Sequence, residues 1–209
     1  MQDKNKNYFI SFIGGIGSGK TTATELVAKK MDFFPVKERY QKNDFLPLFY
    51  NDMKKWALQS QLFFLSEKFN QIMKIKQIIK RKSVVLDVDI NQDLCFAEAQ
   101  KELGNINDKE YLLYHKIYKT MAPFLPKPDL IIYLKSDPVT LNDRIDSRGR
   151  NFEKKIPPSY SRFLLRAQDK WVRKNKDRFA IITVDSGKIN FVNNVKDKEK
   201  FINLIKSHL

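Results

Sequence analysis

The sequence predicts an α/β protein, a doubly wound parallel sheet of five strands with helices on both faces, and three observations predict it. Apolar runs bounded by turn residues alternate with amphipathic stretches of helical length, as parallel strands joined by helices require. A glycine-rich turn separates the first such run from the first helical stretch. At 209 residues the chain is long enough for one α/β core and too short for two, so a single domain over residues 1–209 is expected.

Strands are predicted at residues 8–13, 33–36, 83–88, 130–134 and 180–184, the first, third and fourth rich in β-branched or aromatic side chains. Helices are predicted at 21–30, 53–80, 93–103, 108–124, 138–147, 159–175 and 195–207. Between the last two strands, residues 148–158 hold Gly149, Pro157, Pro158 and several charged side chains. That composition predicts a mobile loop between two helices, of the kind that closes over phosphates as a lid.

Composition excludes several classes. No stretch is long, apolar and uncharged enough to span a bilayer, and the polar segment 1–7 is not followed by a secretory h-region, so a cytoplasmic chain is expected. Cys95 is the only cysteine, which excludes an internal disulfide and a cysteine cluster for zinc. With 39 basic against 24 acidic residues the net charge is +15, which permits contact with nucleic acid. The lysines are scattered over many helices rather than clustered, so solvated faces are the better reading and no nucleic-acid partner is expected.

The strongest signal is Gly14-Gly15-Ile16-Gly17-Ser18-Gly19-Lys20-Thr21, which satisfies G-x-x-x-x-G-K-[ST] between a predicted strand and a predicted helix. Such a P-loop turns consecutive backbone N–H groups around phosphates, and the helix N-terminus adds positive potential. Lys20 is expected at the β/γ oxygens of ATP, Thr21 at Mg²⁺, and Gly14, Gly15, Gly17, Ser18, Gly19 and Thr22 around the phosphates. Val84-Val85-Leu86-Asp87 is an apolar strand ending in a carboxylate, which at the carboxyl edge of the sheet can hold Mg²⁺ through water. The chain therefore looks like a P-loop kinase.

Phosphoryl transfer to a hydroxyl needs a base near the acceptor and cations around the moving group. Glu38 follows the second predicted strand and emerges at the same sheet edge as the P-loop. Arg144, Arg148 and Arg150 lie on the late helix and lid, where planar guanidinium groups can grip phosphate oxygens.

These residues resemble the deoxynucleoside kinase family, in particular its bacterial deoxyadenosine/deoxyguanosine kinase branch, over nearly the whole chain. Leu46-Pro47-Leu48-Phe49-Tyr50-Asn51-Asp52-Met53-Lys54-Lys55-Trp56-Ala57, leading into Gln61-Leu62-Phe63-Phe64-Leu65, is similar to the family's stretch from a sugar-contacting Tyr to a base-contacting Gln. Arg144-Ile145-Asp146-Ser147-Arg148-Gly149-Arg150-Asn151-Phe152-Glu153 resembles its lid, R-x-x-x-R-G-R-x-x-E, and Tyr160 lies where the family often has a tyrosine. The resemblance implies Glu38 as general base for a 5′-hydroxyl, eighteen residues after Lys20 as in the family, although Pro35-Val36 here precede the Glu instead of following it. It implies Tyr50 and Glu153 at the deoxyribose 3′-hydroxyl, Gln61, Lys68 and Asp93 at the base, and a homodimer formed through long helices. Trp56, Phe63 and Phe96 are candidates for the base pocket, with plain core packing as the alternative.

One departure stands out. After the third strand the family usually has Asp/Glu-Arg-Ser, where this chain has Asp87-Val88-Asp89, so an arginine is missing and Glu38 loses a counter-charge. Lys68 likewise stands at a position that is commonly Arg. Arg39, beside Glu38, is the expected replacement cation. The resulting expectation is ATP- and Mg²⁺-dependent phosphorylation of a deoxynucleoside, deoxyadenosine or deoxyguanosine first and deoxycytidine next. The alternatives are a thymidylate-type nucleoside monophosphate kinase, which has only Arg39 as an arginine between Glu38 and Gln61 to hold an acceptor phosphate, and a nucleotide-binding protein weakened at Val88.

Overall fold

The computed structural model describes residues 6–150, 153, 156–191 and 193–209. Five parallel strands, β1 (Phe9–Gly14), β2 (Phe34–Val36), β3 (Val84–Leu86), β4 (Leu130–Lys135) and β5 (Ile181–Asp185), form one sheet in the order β2-β3-β1-β4-β5. All five strands coincide with predicted ones to within two residues at either end. Of the eight α-helices among the described residues, seven were also predicted: α1 (Lys20–Met31), α3 (Met53–Ile78), α4 (Ile90–Glu102), α5 (Asp108–Met121), α6 (Pro138–Arg148), α7 (Pro158–Asn175) and α8 (Val195–Lys206).

The double winding follows from the alternation of side chains along the strands. Ile10 and Phe12 of β1, with Ile132 and Leu134 of β4, pack under α1 and α8 against Val27, Phe201 and Ile205. Phe9, Val84 and Leu86 point the other way and meet Leu65, Ile72 and Ile75 of α3, Ala97 of α4 and Tyr114 of α5. Ile13, Ile131 and Tyr133 are covered by Trp171 and Val172 of α7. Both faces of the central strands are thus dry, which explains why β1 and β4 read as continuous apolar runs.

Three boundaries differ from the sequence reading, each for a local reason. Helix α2 (Phe45–Asn51) was not expected, because Pro47 and two aromatics give it poor propensity. Pro47 lies within its first turn, where a missing N–H costs little, and Leu46, Phe49 and Tyr50 supply a buried face. Helix α5 ends at Met121, and Pro123 belongs to a separate 3₁₀ turn, Ala122–Phe124. Helix α4 starts three residues earlier than predicted because Asp89 caps it, accepting from the Asn91 N–H at 2.8 Å.

Asp89 also accepts from the Ser11 hydroxyl of β1 at 2.5 Å and from the Asn91 side-chain amide at 2.5 Å, while its own N–H donates to Phe12 O. It is 1 % exposed, so it locks the start of α4 to the central strand. Asp89→Ala strands a buried hydroxyl and a helix N-terminus, and should lower unfolding free energy by roughly 2–4 kcal/mol in a urea titration.

Candidate functional site

Strand β1 lies between β3 and β4, so the connections to its two neighbours leave the sheet in opposite directions and open a crevice at the carboxyl edge. The turn from β1 into α1 sits there. Gly17 and Gly19 hold φ of 83° and 90°, a region that disfavours side chains, and a Cβ on Gly17 would come within 2.9 Å of Leu141 O. Ser18 N–H closes the turn onto Gly15 O at 3.1 Å.

The loop is fastened at three points. The Gln92 side-chain amide accepts from Gly14 N–H at 3.0 Å and donates to Gly14 O at 2.8 Å, and Gln168 Nε2 in turn donates to Gln92 Oε1 at 3.1 Å. Lys20 Nζ donates to Gly14 O and Gly15 O at 2.7 and 2.9 Å. Arg144 Nη1 donates to Gly17 O at 3.4 Å while its Nη2 donates to Ser186 O at 2.8 Å. Gln92 and Gln168 are fully buried and carry no motif in the sequence, so only the fold reveals them.

A cavity of about 940 Å³ runs from this loop toward α2, α3 and α4. Of the residues singled out in the sequence, Lys20, Thr21, Thr22, Glu38, Tyr50, Gln61, Asp87, Asp93, Arg144, Arg148, Arg150 and Glu153 all face it, as do Gly17 and Gly19. Gly14, Gly15, Ser18 and Lys68 do not; the first three are buried in the turn, and Lys68, 1 % exposed, pairs with Glu38 Oε1 at 3.2 Å from behind the wall. Of the aromatic candidates, Phe96 lines the cavity with Phe49 and Phe64, whereas Trp56 stacks on Phe45 and Phe63 packs edge-on to Phe64. Phe64, one residue on, takes the place expected of Phe63, because a 100° step per residue decides which neighbour faces inward.

The expected role of Arg39 fails on geometry. Its side chain is exposed and does not line the cavity, and the cation that meets Glu38 is Lys68. Val88 does line the cavity, 2 % exposed, and adds an apolar surface there.

Arg148, Arg150 and Glu153 of the expected lid form one cluster. Glu153, 4 % exposed, accepts from Arg148 Nε at 3.0 Å and Nη2 at 2.6 Å, and from Arg150 Nη1 at 3.3 Å, and the Arg150 guanidinium lies 4.3 Å over the Tyr40 ring. Gly149, φ 67°, ends α6 and turns the chain so that both arginines meet the same carboxylate. Asn151 and Phe152 of the lid motif lie outside the described residues. A wall not foreseen from sequence is the loop after β5, where Gly187, Ile189 and Phe191 face the cavity and Phe191 packs near Gly19. The rule that ligands bind beyond the carboxyl ends of strands was the available signal.

Electrostatics follow from crowding. Lys20 is open to the cavity on one side, yet the protein packed around it lowers its pKa to about 8, against the fields of Asp87 and Glu38. Burial raises the Asp87 carboxyl, with Lys20 opposing. Asp87 Oδ2 accepts from Thr21 Oγ1 at 2.8 Å, and Oδ1 is buried without a hydrogen-bond partner. A hydroxyl beside a carboxylate with a spare oxygen is a hard, oxygen-only donor set, which fits Mg²⁺. Among the described residues no group of three His, Cys, Asp or Glu side chains could hold a metal, so the remaining ligands would come from phosphate and water.

Comparison with known proteins agrees with this geometry. The family model for deoxynucleoside kinase matches residues 10–209. A deoxyguanosine kinase of Bacillus subtilis (strain 168) is 34% identical over 197 residues, covering 92% of this chain and 93% of that one. A deoxyadenosine/deoxycytidine kinase of the same organism is 30% identical over 173 residues, 80% of this chain and 77% of the other. A solved structure of deoxyadenosine kinase from M. mycoides, with dCMP and a flexible dCDP bound as products, superposes with a TM-score of 0.85 at 25% identity over 95% of this chain and 99% of that one.

Asp93 provides a pH test. Burial lifts its carboxyl from 3.8 to about 8, against the pull of Lys68. Across that window the folded chain keeps a proton that the unfolded chain releases, so stability falls as pH rises through it. Asp93→Asn removes this slope, and its melting temperature should gain steadily on wild type over the same window in a pH series of thermal melts.

Proposed function

The chain belongs to the deoxynucleoside kinase family, a family of phosphotransferases, and on that premise we propose that it transfers the γ-phosphate of ATP to the 5′-hydroxyl of a deoxynucleoside, deoxyadenosine or deoxyguanosine in preference. One observation carries the reading. A single cavity is faced both by the P-loop lysine and by Glu38, Tyr50, Gln61 and Asp93, so a phosphate donor and a nucleoside acceptor can meet in it. The purine preference is supported by relatives that act on deoxyguanosine or deoxyadenosine.

In this reading the backbone of residues 14–19 cradles the ATP phosphates at the α1 N-terminus, and Lys20 neutralises the β/γ oxygens. Thr21 and Asp87 would hold Mg²⁺, which supplies charge neutralisation between the terminal phosphates. Glu38 accepts the 5′-hydroxyl proton, Tyr50 and Glu153 hold the 3′-hydroxyl, and Gln61 pairs with the base. Arg144, Arg148 and Arg150 answer the negative charge spread over the moving phosphoryl group. The loop at residues 187–191 walls the donor side. With Arg39 off the cavity, no arginine between Glu38 and Gln61 faces it, which speaks against an acceptor that already carries a phosphate.

No helix among the described residues is long and apolar enough to cross a membrane. The enzyme would work in the cytoplasm as a homodimer, a reading supported by exposed Met73, Leu112, Leu113 and Phe124 on α3, α5 and the turn that follows. The decisive assay follows label from γ-labelled ATP with Mg²⁺ onto the four deoxynucleosides, the ribonucleosides and dTMP. Transfer should favour one or both purine deoxynucleosides. Lys20→Ala and Glu38→Gln should each cost at least ~100-fold in kcat. Label on dTMP alone, or full activity of Glu38→Gln, would refute the assignment.

A further inference from the structure

Lys68 occupies the inner face of α3, seven residues or two turns beyond Gln61. Both are buried, but Gln61 reaches the cavity and Lys68 does not. Its ammonium lies 3.2 Å from Glu38 Oε1, with Glu38 between it and the cavity. Burial alone would strip the lysine of its proton; the fields of Glu38, Asp93 and Asp87 outweigh that cost and raise its pKa instead. Around it the cavity wall is apolar at Val88, while Arg39 stands in solvent. Asp93, the first-turn carboxyl of α4, is 2 % exposed, and its Oδ2 has no hydrogen-bond partner.

A glutamate with 27% of its side chain exposed has several rotamers open to it. A cation fixed in a packed helix behind it selects the one that faces the cavity. The ion pair also ties the segment after β2 to α3.

We propose that Lys68 is a positioning residue and not a contact for the nucleobase: it holds Glu38 toward the acceptor hydroxyl from behind the cavity wall. This rests on Glu38 being the group that accepts the hydroxyl proton. A base contact would alter affinity and choice of base, because it touches what differs between acceptors. A brace behind the general base acts on turnover alone, whichever base is bound.

The test is steady-state kinetics of Lys68→Met, which keeps the apolar stem and removes the charge, on each deoxynucleoside that the wild type uses. The expected result is a kcat lower by about 10- to 100-fold, by a common factor for all acceptors, with KM within about threefold. Restoring a cation from the turn after β3 in Lys68→Met/Val88→Arg should recover about tenfold. An unchanged kcat, or a reordered base preference carried by KM, overturns the proposal. Should Lys68→Met not fold alone, the double variant decides: turnover with the wild-type order of acceptors supports it, and a folded but inactive protein overturns it. Thermal melts of Lys68→Met, Glu38→Gln and their combination give a readout free of activity. If the pair is a brace, the combined loss in Tm is smaller than the sum of the single losses, since no carboxylate is left without its partner. Additive losses overturn it. A wild type that transfers nothing to any acceptor would remove the proposed function, and these melts would then judge the Lys68–Glu38 brace by themselves.

Discussion

The hold of one side-chain amide on one glycine is the constraint from which the site is built. Gly14 ends β1 in the middle of the sheet, where its N–H and C=O are buried and must be paired. Gln92 satisfies both with a single amide, and Gln168 orients that amide from α7. The chain can therefore leave the strand and turn through the glycines at residues 15–19 without leaving polar backbone unsatisfied. It also follows that α4 and α7 are registered on the phosphate loop, because the residues that clamp Gly14 are members of those helices. Asp89 repeats the device one turn earlier, joining α4 to Ser11. The helix that bears Asp93 is thus fixed relative to Lys20 by two independent links to β1.

Charge is distributed around this frame in a way that burial would forbid for isolated groups. Carboxylates in the wall are met by donors: Thr21 donates to Asp87, Lys68 backs Glu38, and Arg148 and Arg150 share Glu153. Glu38, Asp87 and Glu153 thus each have a partner on another element or across a turn, so the cavity keeps charged walls at tolerable cost. Among the groups with shifted pKa values inside it, Lys20, Asp87 and Asp93 owe the shift first to burial. Such a site is pre-organised for charge that develops during transfer, since its dipoles and ions need little rearrangement.

Most of the architecture was legible because it rests on patterns of short range. Apolar runs identified five strands, and their order of appearance with intervening helices dictated a parallel sheet. The phosphate loop was legible because its backbone geometry needs glycines at fixed places. Arg148, Gly149, Arg150 and Glu153 were singled out by their resemblance to a family motif, but that the two guanidinium groups fold back on one carboxylate was not foreseen. What was not legible shares one cause: it depends on contacts between distant segments. Gln92 and Gln168 are ordinary polar residues of helices until the fold buries them. The choice between Phe63 and Phe64, and the start of α4 at Asp89, turned on orientation and capping that propensity cannot resolve.

Arg39 and Lys68 sharpen that point. Proximity along the chain made Arg39 the natural partner for Glu38, since adjacent residues are always near each other. After β2, however, the chain enters a 3₁₀ turn at Tyr40–Lys42 with Arg39 at its N-cap, where the arginine side chain is exposed. Lys68 is thirty residues away, yet α3 runs beneath the same sheet edge and brings its ammonium to Glu38. Electrostatic demand at a buried carboxylate is met by whichever cation the packing delivers, and packing is decided by the apolar face of α3, which also buries Leu65, Ile72 and Ile75. Which cation meets Glu38 is therefore set by the packing of distant segments and not by adjacency along the chain.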